Sequence, residues 1–111
     1  MEQRLARQQR EVIVNRTKFK TTTYQMLEGD AVVNCDTAGG AYTVTLPPVS
    51  LAAGKIYSVK YASGAGGAVT VESKSDDKLS DDVPATLTAI GDGILLYSDG
   101  QTWWGLATIA A

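Results

Sequence analysis

Histidine is absent from the chain, and cysteine occurs once, at Cys35. The first absence removes the commonest general base and the commonest metal ligand together. The second excludes an internal disulfide and a zinc site, which needs several nitrogen or sulfur ligands. No apolar run approaches the ~20 residues that span a bilayer. Charged residues rather than an apolar stretch follow Met1, so no signal peptide is read there. A phosphate loop is missing too, because Ala38-Gly39-Gly40 has neither the Lys-Ser/Thr nor the helix that should follow. The expectation is a soluble, non-enzymatic protein made in a reducing cytoplasm, without cofactor or transition metal.

What is present is unevenly distributed. The 111 residues give room for one domain, and 44% apolar with 20% charged residues is ordinary globular composition. Residues 1–20 hold Arg4, Arg7, Arg10, Arg16, Lys18 and Lys20 against Glu2 and Glu11, a net +4. The other 91 residues hold four Lys/Arg against ten Asp/Glu, a net −6. That division predicts a basic N-terminal arm over 1–20 and a folded domain over 21–111, docked through the arm.

Residues 2–12 are straight-chain helix formers without Gly or Pro. Leu5 and Val12 lie seven apart and share a helix face, and Arg7 and Glu11 are spaced as an i, i+4 pair. So short a helix is marginal alone and orders only against a partner, so the arm is read as helical or extended. Its candidate partner-binding residues are Arg4, Leu5, Arg7, Arg10, Val12 and Arg16. Residues 1–18 contain no aromatic to stack on a base, which favours an acidic protein surface over nucleic acid. The plainer reading is a frayed tail with no role.

Beyond Val12, turn residues punctuate short alternating runs. Strands are expected over Lys18–Met26, Ala31–Asp36, Tyr42–Leu46, Lys55–Ala62, Ala68–Ser73, Ala85–Ile90, Ile94–Ser98 and Thr102–Ile109. Ala38-Gly39-Gly40 reads as a hairpin turn, and Pro47-Pro48 as a strand end. Short strands at this spacing predict an all-β fold, a small antiparallel β-sandwich of jelly-roll type. Tyr57, Val59 and Tyr61 face one way on one strand, and Trp103 and Trp104 must face opposite ways on another. A small domain has limited core to cover such faces, so these five residues are candidates for a subunit interface, with at most one Trp in the chain's own core. Asp76, Asp77, Asp81 and Asp82 lack the spacing of a calcium loop and read as a solvated turn. Cys35, with no His to activate it, reads as a packed thiol.

Several stretches together resemble a module of bacteriophage virion proteins found in tail fibres, spikes and head decorations. They are Tyr24-Gln-Met-Leu-Glu-Gly-Asp30, Asp36-Thr-Ala-Gly-Gly40, Thr43-Val-Thr-Leu-Pro-Pro48, Ala53-Gly-Lys-Ile-Tyr57, Ile90-Gly-Asp-Gly93 and Ser98-Asp-Gly-Gln-Thr-Trp-Trp104. The resemblance covers about Thr21 to Thr108 and implies a β-rich, trimeric, non-enzymatic component of a virus particle. A short chain of this kind suits a capsid decoration (cement) protein that binds the major capsid protein on the outer shell. A short tail-fibre or tail-tip component is the alternative, and a carbohydrate-binding β-sandwich is the third. No membrane partner is expected.

Overall fold

The computed structural model describes residues 17–80 and 86–110. Ten strands and no helix run through them: β1 (Thr17–Lys20), β2 (Tyr24–Gln25), β3 (Val32–Asp36), β4 (Tyr42–Thr45), β5 (Ile56–Ser63), β6 (Val69–Glu72), β7 (Lys78–Leu79), β8 (Thr86–Leu87), β9 (Gly93–Ser98) and β10 (Thr102–Ile109). Residues 2–12, read from the sequence as helix formers, lie outside the described residues. Thr17–Lys20, counted with the arm from its charge, is the edge strand of a sheet.

Strands β1-β3-β5-β9-β10-β7 form a large sheet, and β2-β4-β6-β8 form a small one. The chain therefore changes sheet at every connection from β1 to β9. Its first six strands make three turns of a flattened coil, each contributing one strand to either sheet. Successive turns run in the same direction, so β1, β3 and β5 pair in parallel in the large sheet, as do β2, β4 and β6 in the small one. Strand β7 is also parallel to β10, and only β5–β9, β9–β10 and β6–β8 are antiparallel.

Five of the eight pairings are thus parallel, which corrects the antiparallel sheet expected from the sequence. The cause lies in the turns. A tight glycine turn can close a hairpin within one sheet or a corner between two, and side-chain alternation is the same in both cases. At Thr37–Gly40, where the Gly40 amide donates to the Thr37 carbonyl at 2.8 Å, the chain turns such a corner. The stretch read as one strand over Lys18–Met26 likewise breaks at Thr21–Thr23 into β1 and β2, which lie in different sheets.

The inner faces of both sheets share one core. Val33, Cys35, Tyr57, Val59, Tyr61, Ile94, Leu96 and Trp103 enter from the large sheet, and Tyr42, Val44, Val69, Val71 and Leu87 from the small one. Met26, Leu46, Val49 and Ala52 close it from the connections. Burying each large aliphatic side chain contributes roughly 1.5–3 kcal/mol over leaving it exposed.

The tyrosines tie the corners to this core. Tyr42 donates to the Lys20 carbonyl at 2.8 Å, Tyr57 to the Glu28 carbonyl at 2.7 Å, and Tyr61 to the Gly67 carbonyl at 2.7 Å. Their rings are buried while each hydroxyl finds a backbone carbonyl to bond.

Candidate interaction surface

The acidic residues of the body are largely engaged in its own loops. Asp30 accepts from the Leu27 amide at 3.0 Å and from the Tyr24 hydroxyl at 2.5 Å. Asp36 accepts from the Ala38 amide, Asp77 from the Val49 amide, and Asp92 from the amides of Thr88 and Ala89. Asp99 accepts from the amides of Gln101 and Thr102. Five of the eight acidic residues beyond residue 20 that the structure describes therefore bond loop amides, four of them by the local side-chain to backbone bonding that Asp favours in turns and Asp77 across 28 residues. The Tyr24 hydroxyl is pushed up to about 12 by burial first and by its bond to Asp30 second.

Among the described residues, reactive groups do not converge. Cys35 is fully buried, and that burial raises its thiol above the ordinary range. Among the described residues no three His, Cys, Asp or Glu side chains gather as a cation site. Of the acidic run, Asp77 is turned to the Val49 amide, while Asp81 and Asp82 lie outside the described residues. An open cleft lined by Thr70, Val71, Glu72, Ser73, Ser75 and Leu79 offers one carboxylate among hydroxyls, with no nucleophile–base pair. No helix among the described residues is long and apolar enough to cross a membrane.

The outer faces of the two sheets differ sharply. Alternation places Gln25, Thr43, Thr45, Thr70, Glu72 and Thr86 outward on the small sheet, since their neighbours Val44, Val69, Val71 and Leu87 are buried. Register aligns Thr43, Thr70 and Thr86 in one row and Gln25, Thr45 and Glu72 in the next. This is a solvated face.

The large sheet presents the opposite chemistry. Register sets Ile56, Tyr97 and Trp104 side by side on β5, β9 and β10. The next outward row holds Thr17, Val32, Ser58, Leu95 and Ala107, and the one beyond it Phe19, Asn34, Lys60, Gly93 and Ile109. Phe19 is 61% exposed, Ile56 55%, Ile109 49% and Trp104 39%. Lys60 is the only charged residue in those three rows. Its Cδ lies 3.7 Å from where a Cβ on Gly93 would stand, so its stem also runs along the face.

Trp104 is anchored there. Its indole N–H donates to Asp99 Oδ2 at 2.9 Å, across the turn that joins β9 to β10. That bond, followed by those from the Gln101 and Thr102 amides, holds the Asp99 carboxyl below its ordinary range. The turn thus fixes an exposed aromatic side chain in one orientation.

The interface candidates drawn from the sequence divide accordingly. Tyr57, Val59, Tyr61 and Trp103 fill the chain's own core, at 1%, 0%, 2% and 0% exposure. They belong to the core cluster that residues of both sheets share, so only Trp104 of the five remains available to a partner. Arg4, Leu5, Arg7, Arg10, Val12 and Arg16 lie outside the described residues. Ile56, Leu95, Tyr97 and Ile109 join Trp104 on this face, and Ile94-Leu95-Leu96-Tyr97 carries the sequence signal for it: four apolar residues without alternation mean that both faces of β9 are apolar. Comparison with known proteins finds no matching family model, no matching curated protein and no matching solved structure.

Proposed function

We propose that the chain is a structural subunit of a bacteriophage particle, a capsid decoration (cement) protein that binds the outer shell as a homotrimer. The observation that carries this reading is the charge division, with +4 on residues 1–20 and −6 on the rest. A basic end and an acidic body suit one-ended attachment, and guanidinium groups pair bidentately with carboxylates on a receiving surface. In this reading Arg4, Arg7, Arg10 and Arg16 meet acidic side chains of the major capsid protein, while Leu5 and Val12 supply apolar contact. Three arms per trimer engage neighbouring capsid subunits together, which raises avidity without any single strong contact. The finer architecture is a β-sandwich body with an N-terminal arm, and the jelly-roll form gives way to the coiled order of the first six strands.

Two features of the body support a non-enzymatic role. Five of the eight described acidic groups of the body bond loop amides, and the large sheet presents an apolar outer face. The protein binds neither membrane nor nucleic acid in this reading, and it acts on the surface of the virion. Electron microscopy of particles carrying a gold-labelled copy tests the assignment. Label spread over the head is the expected result. Label confined to the tail tip transfers the protein to the fibre-tip alternative, and particles without label refute a virion role.

A further inference from the structure

We infer that the outer face of the large sheet, centred on Ile56, Tyr97 and Trp104, is the surface through which copies of this chain associate. The inference deepens the proposed trimer and rests on it for the number of copies, not for the face.

Strands that are apolar on both sides are ordinarily covered on both. Here the small sheet escapes that requirement by presenting threonine, glutamine and glutamate outward. The large sheet does not. Outward-facing Ile56, Tyr97 and Trp104, with Leu95 and Ala107 in the next row, leave an apolar patch exposed, the kind of surface that marks an interaction site. A standard interface buries about 800 Å² per partner, with an apolar centre and a polar rim. The patch meets the centre of that requirement, and Thr17 on the edge strand and Asp99 in the β9–β10 turn supply polar groups at its border.

Charge selects the occupant. One lysine stands in the three outward rows, so the face offers no acidic match to the chain's own basic residues 1–16. It offers no charged pattern to an ionic partner either. Its complement is a second face of the same kind, and the surface known to carry one is another copy of this chain. The polar outer side of the small sheet cannot serve, so copies meet large sheet to large sheet under rotational symmetry, which closes without a growing edge. Trp104, fixed by Asp99, has its orientation set before association, and pre-organised aromatic residues at an interface centre carry a large share of binding energy.

The test is sedimentation of the full chain at micromolar concentration, with circular dichroism and thermal melting as checks on folding. The wild type is expected to associate. Trp104→Gln and Ile56→Lys are each expected to weaken association about a hundredfold while the strand spectrum persists. Thr70→Lys, on the outer face of the small sheet, should associate like the wild type. Acrylamide quenching of tryptophan emission should fall on association of the wild type, since Trp103 is already buried and Trp104 becomes covered. If Ile56→Lys does not fold, Trp104→Gln and the quenching decide. A wild type that is monomeric overturns the inference and the trimer together. An oligomer that resists both variants overturns the face and leaves the trimer standing. A dimer lost in both variants supports the face and replaces the threefold arrangement with a twofold one. Shell binding is measured separately, so its loss or survival bears on the capsid assignment alone.

Discussion

Trp103→Ala is expected to lower the unfolding free energy by about 3–5 kcal/mol, the cost of removing a fully buried large aromatic and leaving a cavity. Trp103 is wholly inaccessible and packs edge-on against Tyr57, with ring centroids 5.4 Å apart and planes at 75°. It stands opposite Ser98 across the β9–β10 pair, where the large sheet turns its last long strand over the core. A domain of this size is stable by only about 5–15 kcal/mol, so the loss removes a large fraction of the total. One term opposes it. The Trp103 indole N–H has no hydrogen-bond partner among the described residues, and an unmet buried donor costs about 1–3 kcal/mol. Trp103→Phe, which keeps a ring against Tyr57 and removes the donor, should therefore be much milder than Trp103→Ala. Urea unfolding at one fixed chain concentration measures both, since association would otherwise shift the apparent stability. A Trp103→Ala midpoint equal to the wild type would place that side chain outside the core.

Gly66→Ala should be comparably damaging for a different reason. A Cβ at Gly66 would stand 2.1 Å from the Thr37 carbonyl oxygen and 3.2 Å from the Gly40 amide nitrogen. Both are backbone atoms, joined to each other by the 2.8 Å bond that closes the Thr37–Gly40 corner. The corner is held from the other side as well. Thr37 Oγ1 accepts from the Gly66 amide at 3.2 Å and shares a 2.6 Å hydrogen bond with the Tyr61 hydroxyl. Two successive turns of the coil are thus stacked corner on corner, and glycine at 66 permits the approach. With no flexible side chain to move aside, the methyl group must displace backbone, at about 3 kcal/mol or more. Gly39→Ala is the control, because a Cβ there meets nothing within 4 Å. Thermal melts should separate the two by more than about 10 °C for a domain of this size. Equal melting temperatures would contradict the stacked corners.

The sequence made strand positions legible and left their partners hidden. Tyr42/Val44, Val69/Val71 and Tyr57/Val59/Tyr61 point inward as alternation requires, because a period of two marks the buried side of a strand in any pairing. Pairing depends on where the chain goes after each turn, and Ala38-Gly39-Gly40 does not record whether it folds back or crosses to another sheet. Strand β7 was hidden for a simpler reason. Two residues in a polar, acidic segment pair with β10 only because the large sheet passes beside them. The interface was misplaced by a size argument: limited core suggested that Tyr57, Val59 and Tyr61 needed another subunit, whereas all three are buried in the chain's own core cluster. The apolar outer face emerges only from register, since Ile56, Tyr97 and Trp104 lie far apart in sequence and become neighbours when β5, β9 and β10 align.

The proposal that residues 1–16 attach the body to a shell is tested most directly by removing them. The cut leaves β1 whole, because that strand begins at Thr17. Intact and shortened proteins, matched by circular dichroism, are mixed with shells lacking the protein, and the bound fraction is measured after sedimentation across a range of salt. The intact chain should bind, more weakly as salt screens its arginines, and the shortened chain should remain in the supernatant. If the shortened chain decorates shells as fully as the intact one, the body carries the binding site and the anchor is refuted.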